Sequence, residues 1–195
     1  SNAGHNSPLY QSPPGDPDGS VETGINYLAN SRGIPNSKLN MGIPFWGKKY
    51  NASQINGSFS GSVVDMHYSE ILPLIDNGWD YQWDNNAKCP YLIKNDQSQI
   101  ITYDNPLSIQ RKSEFAKDRN LGGVMVWALG YDAQNSSETL TEAIYTHWLS
   151  TEERHVIVPS AITINAFPNP FNPVINIRFL LPFADNVDSV SYTHL

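Results

Sequence analysis

The sequence predicts an α/β fold: helices alternating with apolar strands, broken by an α+β insertion and followed by a β-rich module. Three observations carry this. Two apolar runs, 38–44 and 122–129, each follow a helical pattern after a short loop, which is the order of an α/β unit. Between them, residues 48–104 turn polar, with Asn, Ser and Gly clusters around scattered aromatics, too long a stretch for a structureless loop. Beyond about Ser150 the texture becomes β-branched and alternating.

The first twenty residues are rich in turn signals, Pro13-Pro14-Gly15 and Asp16-Pro17-Asp18-Gly19 among them. Ser20 then reads as an N-cap. Val21, Ile25 and Leu28 recur at helical spacing until Gly33 and Pro35 stop the helix. Lys38 to Pro44 is a buried-strand candidate ended by proline. Within the insertion, about 48–104, Tyr68, Ile71, Leu72 and Ile75 suggest a helix, and 90–93 and 99–103 suggest two strands around the turn Asn95-Asp96. Asn105 caps a helix with Pro106 at its first position, running through Ile109, Lys112 and Phe115 to about Asn120. The apolar strand 122–129 follows at once. A loop over 130–136 leads to a last helix with Leu140, Ile144, His147 and Trp148 on one face. The order is helix, strand, insertion, helix, strand, helix: the tail of an alternating barrel with two strands visible.

A linker over 150–160 precedes a small β-sandwich-like module in 161–195. Its expected strands are Val156 to Ile164, which begins inside the linker, and Val174 to Leu181, joined by a Pro/Asn turn. Two strands are too few to stand alone. Residues 190–195 do not continue the alternation and read as an appended end.

Composition narrows the function classes. The chain of 195 residues carries 12 basic and 19 acidic side chains, a net charge of −7. No basic stripe exists to displace phosphate counterions, which argues against a nucleic-acid partner. No apolar run approaches the ~20 residues a membrane span needs. The lone Cys89 has no second Cys or nearby His, so a small buried hydrophobe is expected rather than a metal ligand or nucleophile. The five His residues show no metal-ligand spacing, and neither a metal nor a cofactor is expected. Five Trp, ten Tyr and seven Phe suit a carbohydrate-active protein.

Trp127 is the sharpest single feature. It closes the strand Gly122-Gly123-Val124-Met125-Val126-Trp127-Ala128-Leu129. In a parallel β/α barrel, ligands bind at the C-terminal ends of strands. A flat, rigid indole there is a natural floor for the apolar face of a sugar ring. The plainer alternative, for Trp127 and for Trp46, is a packing aromatic in the core; Trp79 and Trp148 read as core, and Asp65, Asp76 and Asp132 as surface or cap residues.

Five blocks in order, GHNSPLY (4–10), KLNMGIPFWG (38–47), WDNNAKCPYL (83–92), YDNPLSIQRK (103–112) and GGVMVWALGYD (122–132), resemble glycoside hydrolase family 18. The group most like it is the chitinases that carry an α+β insertion before the last barrel strand. The resemblance implies a (β/α)8 TIM barrel whose C-terminal part is residues 1–149, with 38–43 as the seventh strand and 122–129 as the eighth. It implies hydrolysis of β-1,4-N-acetylglucosamine polymers with retention. In that scheme a Glu protonates the glycosidic oxygen and the substrate's own acetamido oxygen attacks the anomeric carbon, an exception to the two-carboxylate pattern. The DxxDxDxE run that supplies the acid is expected upstream of residue 1, so no catalytic residue is expected in this chain, and these residues alone are expected to be inactive.

The substrate-binding residues the resemblance implies are Trp127, Trp46, Lys48, Trp83 and Asp84. Trp127 matches the family's floor Trp beneath the sugar at the cleaved bond. Trp46 stands where the PxYGR block usually has Tyr, replacing a hydroxyl by an indole N–H. Lys48 stands at the usual Arg, keeping the charge and losing the bidentate fork. Trp83 and Asp84 are candidates to wall the cleft from the inserted lobe. Two alternatives stay open: a chitin-binding lectin-like protein lacking the acid, and a glucosaminidase acting on another N-acetylglucosamine glycan.

FPNPFNP (167–173) followed by VINIRFLLP (174–182) resembles the C-terminal sorting domains of the bacterial type IX secretion route. That implies a secreted or cell-surface bacterial enzyme with the secretion machinery as a partner. An ordinary linker to a β-sandwich module is the alternative.

Overall fold

In the computed structural model the structure describes residues 2–12, 19–134, 136, 139–149, 163–167 and 176–180. The chain forms two units, residues 1–151 and 152–195.

In the first unit, α1 (Val21–Asn26) starts at Ser20. The Ser20 hydroxyl accepts the Thr23 N–H at 3.2 Å, and the Thr23 hydroxyl accepts the Ser20 N–H at 2.7 Å. Such a reciprocal cap satisfies two orphan donors of the first turn. The helix continues as a π-turn (Tyr27–Ser31) before Gly33. β1 (Asn40–Pro44) and β7 (Gly123–Trp127) pair in parallel, from Asn40 opposite Gly123 to Pro44 opposite Trp127. α3 (Pro106–Asp118) feeds β7, and Asn105 caps it by accepting the Ser108 N–H at 2.9 Å. α4 (Leu140–Ile144) and a π-turn (Tyr145–Leu149) follow β7.

Alternation along the parallel pair gives it two unlike faces. Met41 and Ile43 are buried, and with Val124 and Val126 they pack on the main core beside Ile25, Ile109, Phe115 and Leu140. Asn40, Gly42, Met125 and Trp127 lie on the other face, where Met125 and Trp127 are exposed. Gly122 enters the strand where a Cβ would run into the Ser37 carbonyl oxygen, so a side chain there would push β7 off its partner.

Between β1 and α3 lies a five-stranded antiparallel sheet in the order β3-β2-β6-β5-β4, formed by β2 (Trp46–Asn51), β3 (Ser60–His67), β4 (Trp79–Asp84), β5 (Cys89–Lys94) and β6 (Ile100–Thr102). It holds the two expected strands and three unexpected ones. It also starts earlier than the expected boundary at 48, because β2 begins at Trp46, one residue after β1 ends. The expected helix over 68–75 is α2 (Tyr68–Ile71) followed by a 3-10 turn (Leu72–Leu74). Pro73 accounts for the short run: it has no N–H to continue the α ladder.

Packing defines the ends of this sheet. Gly47 has no room for a side chain: a Cβ would sit 2.5 Å from the Thr102 carbonyl oxygen and 2.8 Å from both Ile71 Cδ1 and Tyr103 Cβ. Lys112 on α3 is fully buried. Its ammonium donates to both Asp104 oxygens at 2.7 Å and to the Ser7 hydroxyl at 2.9 Å, and the Ser108 hydroxyl donates to Asp104 at 2.6 Å. Cys89 is buried at the same end of the sheet, and burial pushes its thiol far up, with Asp104 adding to the rise and Lys112 opposing it. Trp79 is buried, and Trp148 packs half-buried on the main core.

In the second unit β8 (Thr163–Phe167) and β9 (Asn176–Leu180) form an antiparallel pair, Thr163 opposite Leu180 and Phe167 opposite Asn176. Most of the expected strand Val156 to Ile164, the linker 150–160 and residues 190–195 fall outside the described residues. Among the described residues no helix is long and apolar enough to cross a membrane.

Candidate functional site

Where β1 ends, the chain passes through one residue into β2, so the parallel pair and the antiparallel sheet meet at the C-terminal ends of β1 and β7. The Phe45 N–H donates to the Trp127 carbonyl at 2.8 Å and fixes that junction. A cleft of about 470 Å³ opens there, lined by Gly42, Pro44, Met125 and Trp127 from the parallel pair, Trp46, Asp65 and His67 from the sheet, and Tyr131 from the loop after β7. Its size falls within the ~300–1,000 Å³ usual for small-molecule sites, and its aromatic lining with a few polar groups is the usual chemistry.

Trp127 is 63 % exposed and has no aromatic or cationic partner among the described residues. Its peptide bond to Ala128 is cis. Leaving so large an apolar surface in water is unfavourable by about 25 cal/mol per Å², so a stacking ligand gains by covering it. Trp46 is half-buried, and the Lys48 ammonium sits 5.3 Å from its ring centroid. The cation lies over one face of that indole, and Trp46 also lines the cleft.

The sheet register decides which of the expected residues share this surface. Directly opposed residues point to the same face. Trp46 pairs with His67, and Lys48 with Asp65 and Thr102; Thr102 pairs with Tyr91, and Tyr91 with Gln82. Trp46, Lys48, Asp65, His67 and Gln82 therefore share a face. Trp83, next to Gln82, points to the opposite one. By this parity Trp83 does not share the face that carries Trp46 and Lys48.

Asp84 is on the cleft's face of the sheet but in β4, three strand spacings from Lys48, about 14 Å at the usual interstrand distance. Its carboxylate accepts the N–H groups of Asn86 and Ala87 at 2.8 and 3.0 Å and lies 3.0 Å from His5 Nε2. Burial raises the Asp84 carboxyl, but the hydrogen bonds from Ala87, His5, Ser12 and Asn86 outweigh it and hold the group below the ordinary range. Asp84 organises the β4–β5 turn and ties the N-terminal segment to it, and it is not a lining residue of the cleft.

Of the lining residues only Trp46 and Trp127 were anticipated as site residues; Asp65, His67 and Tyr131 are unanticipated ones that bring polar groups. His67 and Tyr131 stack with ring centroids 3.7 Å apart and planes 10° from parallel. The signal for Asp65 and His67 is their two-residue spacing on a strand, and Tyr131 lies in the same block as Trp127. Asp132 was expected to be a surface or cap residue and is a buried cap. Its carboxylate accepts the N–H groups of Ala133, Leu140 and Thr141, each at 2.9 Å, and the Thr141 hydroxyl at 2.6 Å. That network pins the loop after β7, and Tyr131 with it, to the start of α4.

A cleft at the C-terminal ends of parallel strands, lined by aromatic rings and a few polar groups, is where an α/β frame of this kind holds a ligand. The sequence matches Glycosyl hydrolases family 18 over residues 1–132, and the chain belongs to that family. It is 28 % identical to Chitinase ChiA of Flavobacterium johnsoniae over 218 aligned residues, covering 83 % of this chain and 13 % of that protein. Against Putative chitinase 1 of Margaritifera margaritifera it is 32 % identical over 119 residues, covering 55 % and 25 %. The crystal structure of Ostrinia furnacalis Group IV chitinase matches with a TM-score of 0.68 at 27 % identity, covering 76 % of this chain and 46 % of that one. Human YKL-39, described as a pseudo-chitinase with retained chitooligosaccharide binding, matches with a TM-score of 0.60 at 26 % identity, covering 76 % and 42 %. The chain spans about a quarter or less of these two curated relatives and under half of these solved structures.

Proposed function

We propose that residues 1–149 form one side of the substrate cleft of a chitinase. In this reading β1 and β7 are the seventh and eighth strands of a (β/α)8 barrel, and the five-stranded sheet is its inserted lobe. The observation that carries it is Trp127: an indole standing out of the C-terminal end of a parallel strand, on a cleft shared with Trp46. The open face of β1 and β7 supports the barrel, because parallel sheets are normally covered on both faces.

Chemistry is divided between this chain and the rest of the protein. The acid that protonates the glycosidic oxygen comes from a DxxDxDxE segment, a run absent from these 195 residues. The acetamido oxygen of the substrate then closes on the anomeric carbon, and water opens the resulting ring with net retention. Trp127 holds the reacting N-acetylglucosamine unit by its apolar face, which converts binding into positioning. Trp46 offers an indole N–H at the edge of the cleft. Lys48 braces the Trp46 face and supplies positive charge, with less geometric selectivity than Arg would have. The β8–β9 pair begins a C-terminal module that directs the protein to the outside of a bacterial cell.

The test compares the 195-residue chain with the complete protein on a chitooligosaccharide. Turnover is expected from the complete protein only. Turnover by the chain alone would refute the assignment of the acid to another segment. Binding without turnover by the complete protein would make it a chitin-binding protein.

A further inference from the structure

We infer that Asn77 is a site of spontaneous covalent modification by water, giving aspartate and isoaspartate, and that this conversion loosens β4 at the edge of the inserted sheet.

The sequence holds two Asn-Gly pairs, Asn56-Gly57 and Asn77-Gly78. Such a pair is chemically labile, because no Cβ keeps the glycine nitrogen from the Asn side-chain carbonyl carbon. A bond forms between those two atoms. The side-chain nitrogen leaves as ammonia, taking the proton released from the glycine N–H, and a cyclic imide remains. Water then opens the imide. Cleavage at the side-chain carbonyl gives Asp, and cleavage at the main-chain carbonyl gives isoaspartate, in which the chain runs through the side-chain carbon. One water is consumed, one ammonia is released, and a carboxylate replaces the amide.

The fold treats the two pairs differently. The Asn56 side-chain nitrogen donates to the Ser12 carbonyl at 2.6 Å, and its backbone N–H donates to the Ala3 carbonyl at 3.0 Å. The Gly57 N–H, the attacking group, is engaged by the Gln54 carbonyl at 3.2 Å. Asp76, Asn77 and Gly78 are all exposed. The Asn77 side-chain nitrogen reaches the Pro73 carbonyl at 3.5 Å, beyond the usual range of a good bond. Gly78 has a φ of 82° with nothing within 4 Å of where a Cβ would stand, and its N–H has no acceptor among the described residues. The attacking nitrogen and the space around it are open at Asn77 and closed at Asn56.

The position gives the change a structural consequence. The Gly78 carbonyl accepts the Asn95 N–H at 3.1 Å, and the Asp76 N–H donates to the Trp79 carbonyl at 3.0 Å. Trp79 is buried and opens β4 opposite Lys94. Isoaspartate adds one backbone atom just before that rung, and the new carboxylate stands next to Asp76, a like charge. β4 ends the sheet and is held along one side only, by β5, so it yields to the added length.

The complete protein is incubated at mildly alkaline pH and sampled by peptide mapping with mass spectrometry, with chromatographic retention and fragment ions separating Asp from isoaspartate. In the folded protein, conversion at Asn77 is expected to outpace that at Asn56 by at least about tenfold, because Asn56 reacts only after a local opening breaks its hydrogen bonds. In denaturant the two sites are expected to convert at similar rates, which ties the difference to the fold. Converted protein is expected to exchange the Asp76 and Asn95 amide hydrogens faster than fresh protein. Asn77→Gln, whose longer side chain closes a ring far more slowly, is expected to show no such change after the same incubation. Equal conversion at the two sites in the folded protein, faster conversion at Asn56, or an intact Asn77 over a time that converts it in denaturant would overturn the assignment. Unchanged exchange in fully converted protein would overturn the loosening of β4. None of these readouts depends on sugar binding.

Discussion

Pro44 and Trp127 are opposed on the last rung of the parallel ladder, and the next residue, Phe45, donates its N–H to the Trp127 carbonyl at 2.8 Å. This pairing places the turn into the antiparallel sheet directly beside the indole. The sheet begins at Trp46, so floor and wall of the cleft are set by the same few backbone contacts. A strand register, not a loop, brings the two indoles together, and geometry held by strands is tighter than geometry held by loops.

That precision depends on Gly47. In the complete protein Gly47→Ala is expected to lower stability by about 1–3 kcal/mol, the usual cost of forcing atoms into a filled core. Because the displaced strand carries Trp46, chitooligosaccharide affinity is expected to fall as well. Thermal unfolding and a binding titration of the variant check both effects.

Lys112 and Asp104 form an ion pair buried from solvent on both sides. Lys112→Ala leaves the Asp104 carboxylate without its counter-charge in the interior, a change of about 3–5 kcal/mol. Replacing both with apolar residues of similar volume is expected to recover much of that loss, since the pair itself costs desolvation. Denaturant unfolding of the two variants distinguishes these cases.

The Asp84 carboxyl lies below its ordinary value of 3.8, so its contribution to stability is present above that value and disappears as the pH falls through the lowered folded value. Acid below about pH 4 is therefore expected to loosen the β4–β5 turn and the segment around His5. Asp84→Asn removes this component of the acid sensitivity, which hydrogen exchange at the Asn86 and Ala87 amides can follow.

Cys89 is 1 % exposed, and burial drives its thiol toward the protonated, unreactive form. A thiol reagent at neutral pH is expected to leave the folded protein unmodified and to label Cys89 once denaturant is added. Rapid labelling without denaturant would contradict the packing described here.

Elements set by local chemistry were legible in the sequence. Ser20, Asn105 and Pro106 marked the starts of their helices through their own side chains, and the apolar runs of β1 and β7 identified themselves. Strands β2, β3 and β4 were not legible. β3 is exposed along nearly its whole length, on both faces, and so has no buried face whose alternation could be read. Trp83 illustrates the cost: its place in a matching block suggested a cleft wall, and only the pairing through β5 and β6 shows that it faces the other way. Asp65, His67 and Tyr131 were missed for the same reason, since their proximity comes from tertiary pairing between segments more than sixty residues apart.

Trp127 bears the central claim, and titration of the complete protein with a chitooligosaccharide, beside its Trp127→Ala variant, tests it most directly. Thermal unfolding of the variant first checks that it is folded. Affinity is expected to drop by at least about 2 kcal/mol, or roughly 30-fold, as for other anchoring Trp residues. Unchanged affinity in a folded variant would contradict the assignment of this cleft to sugar binding.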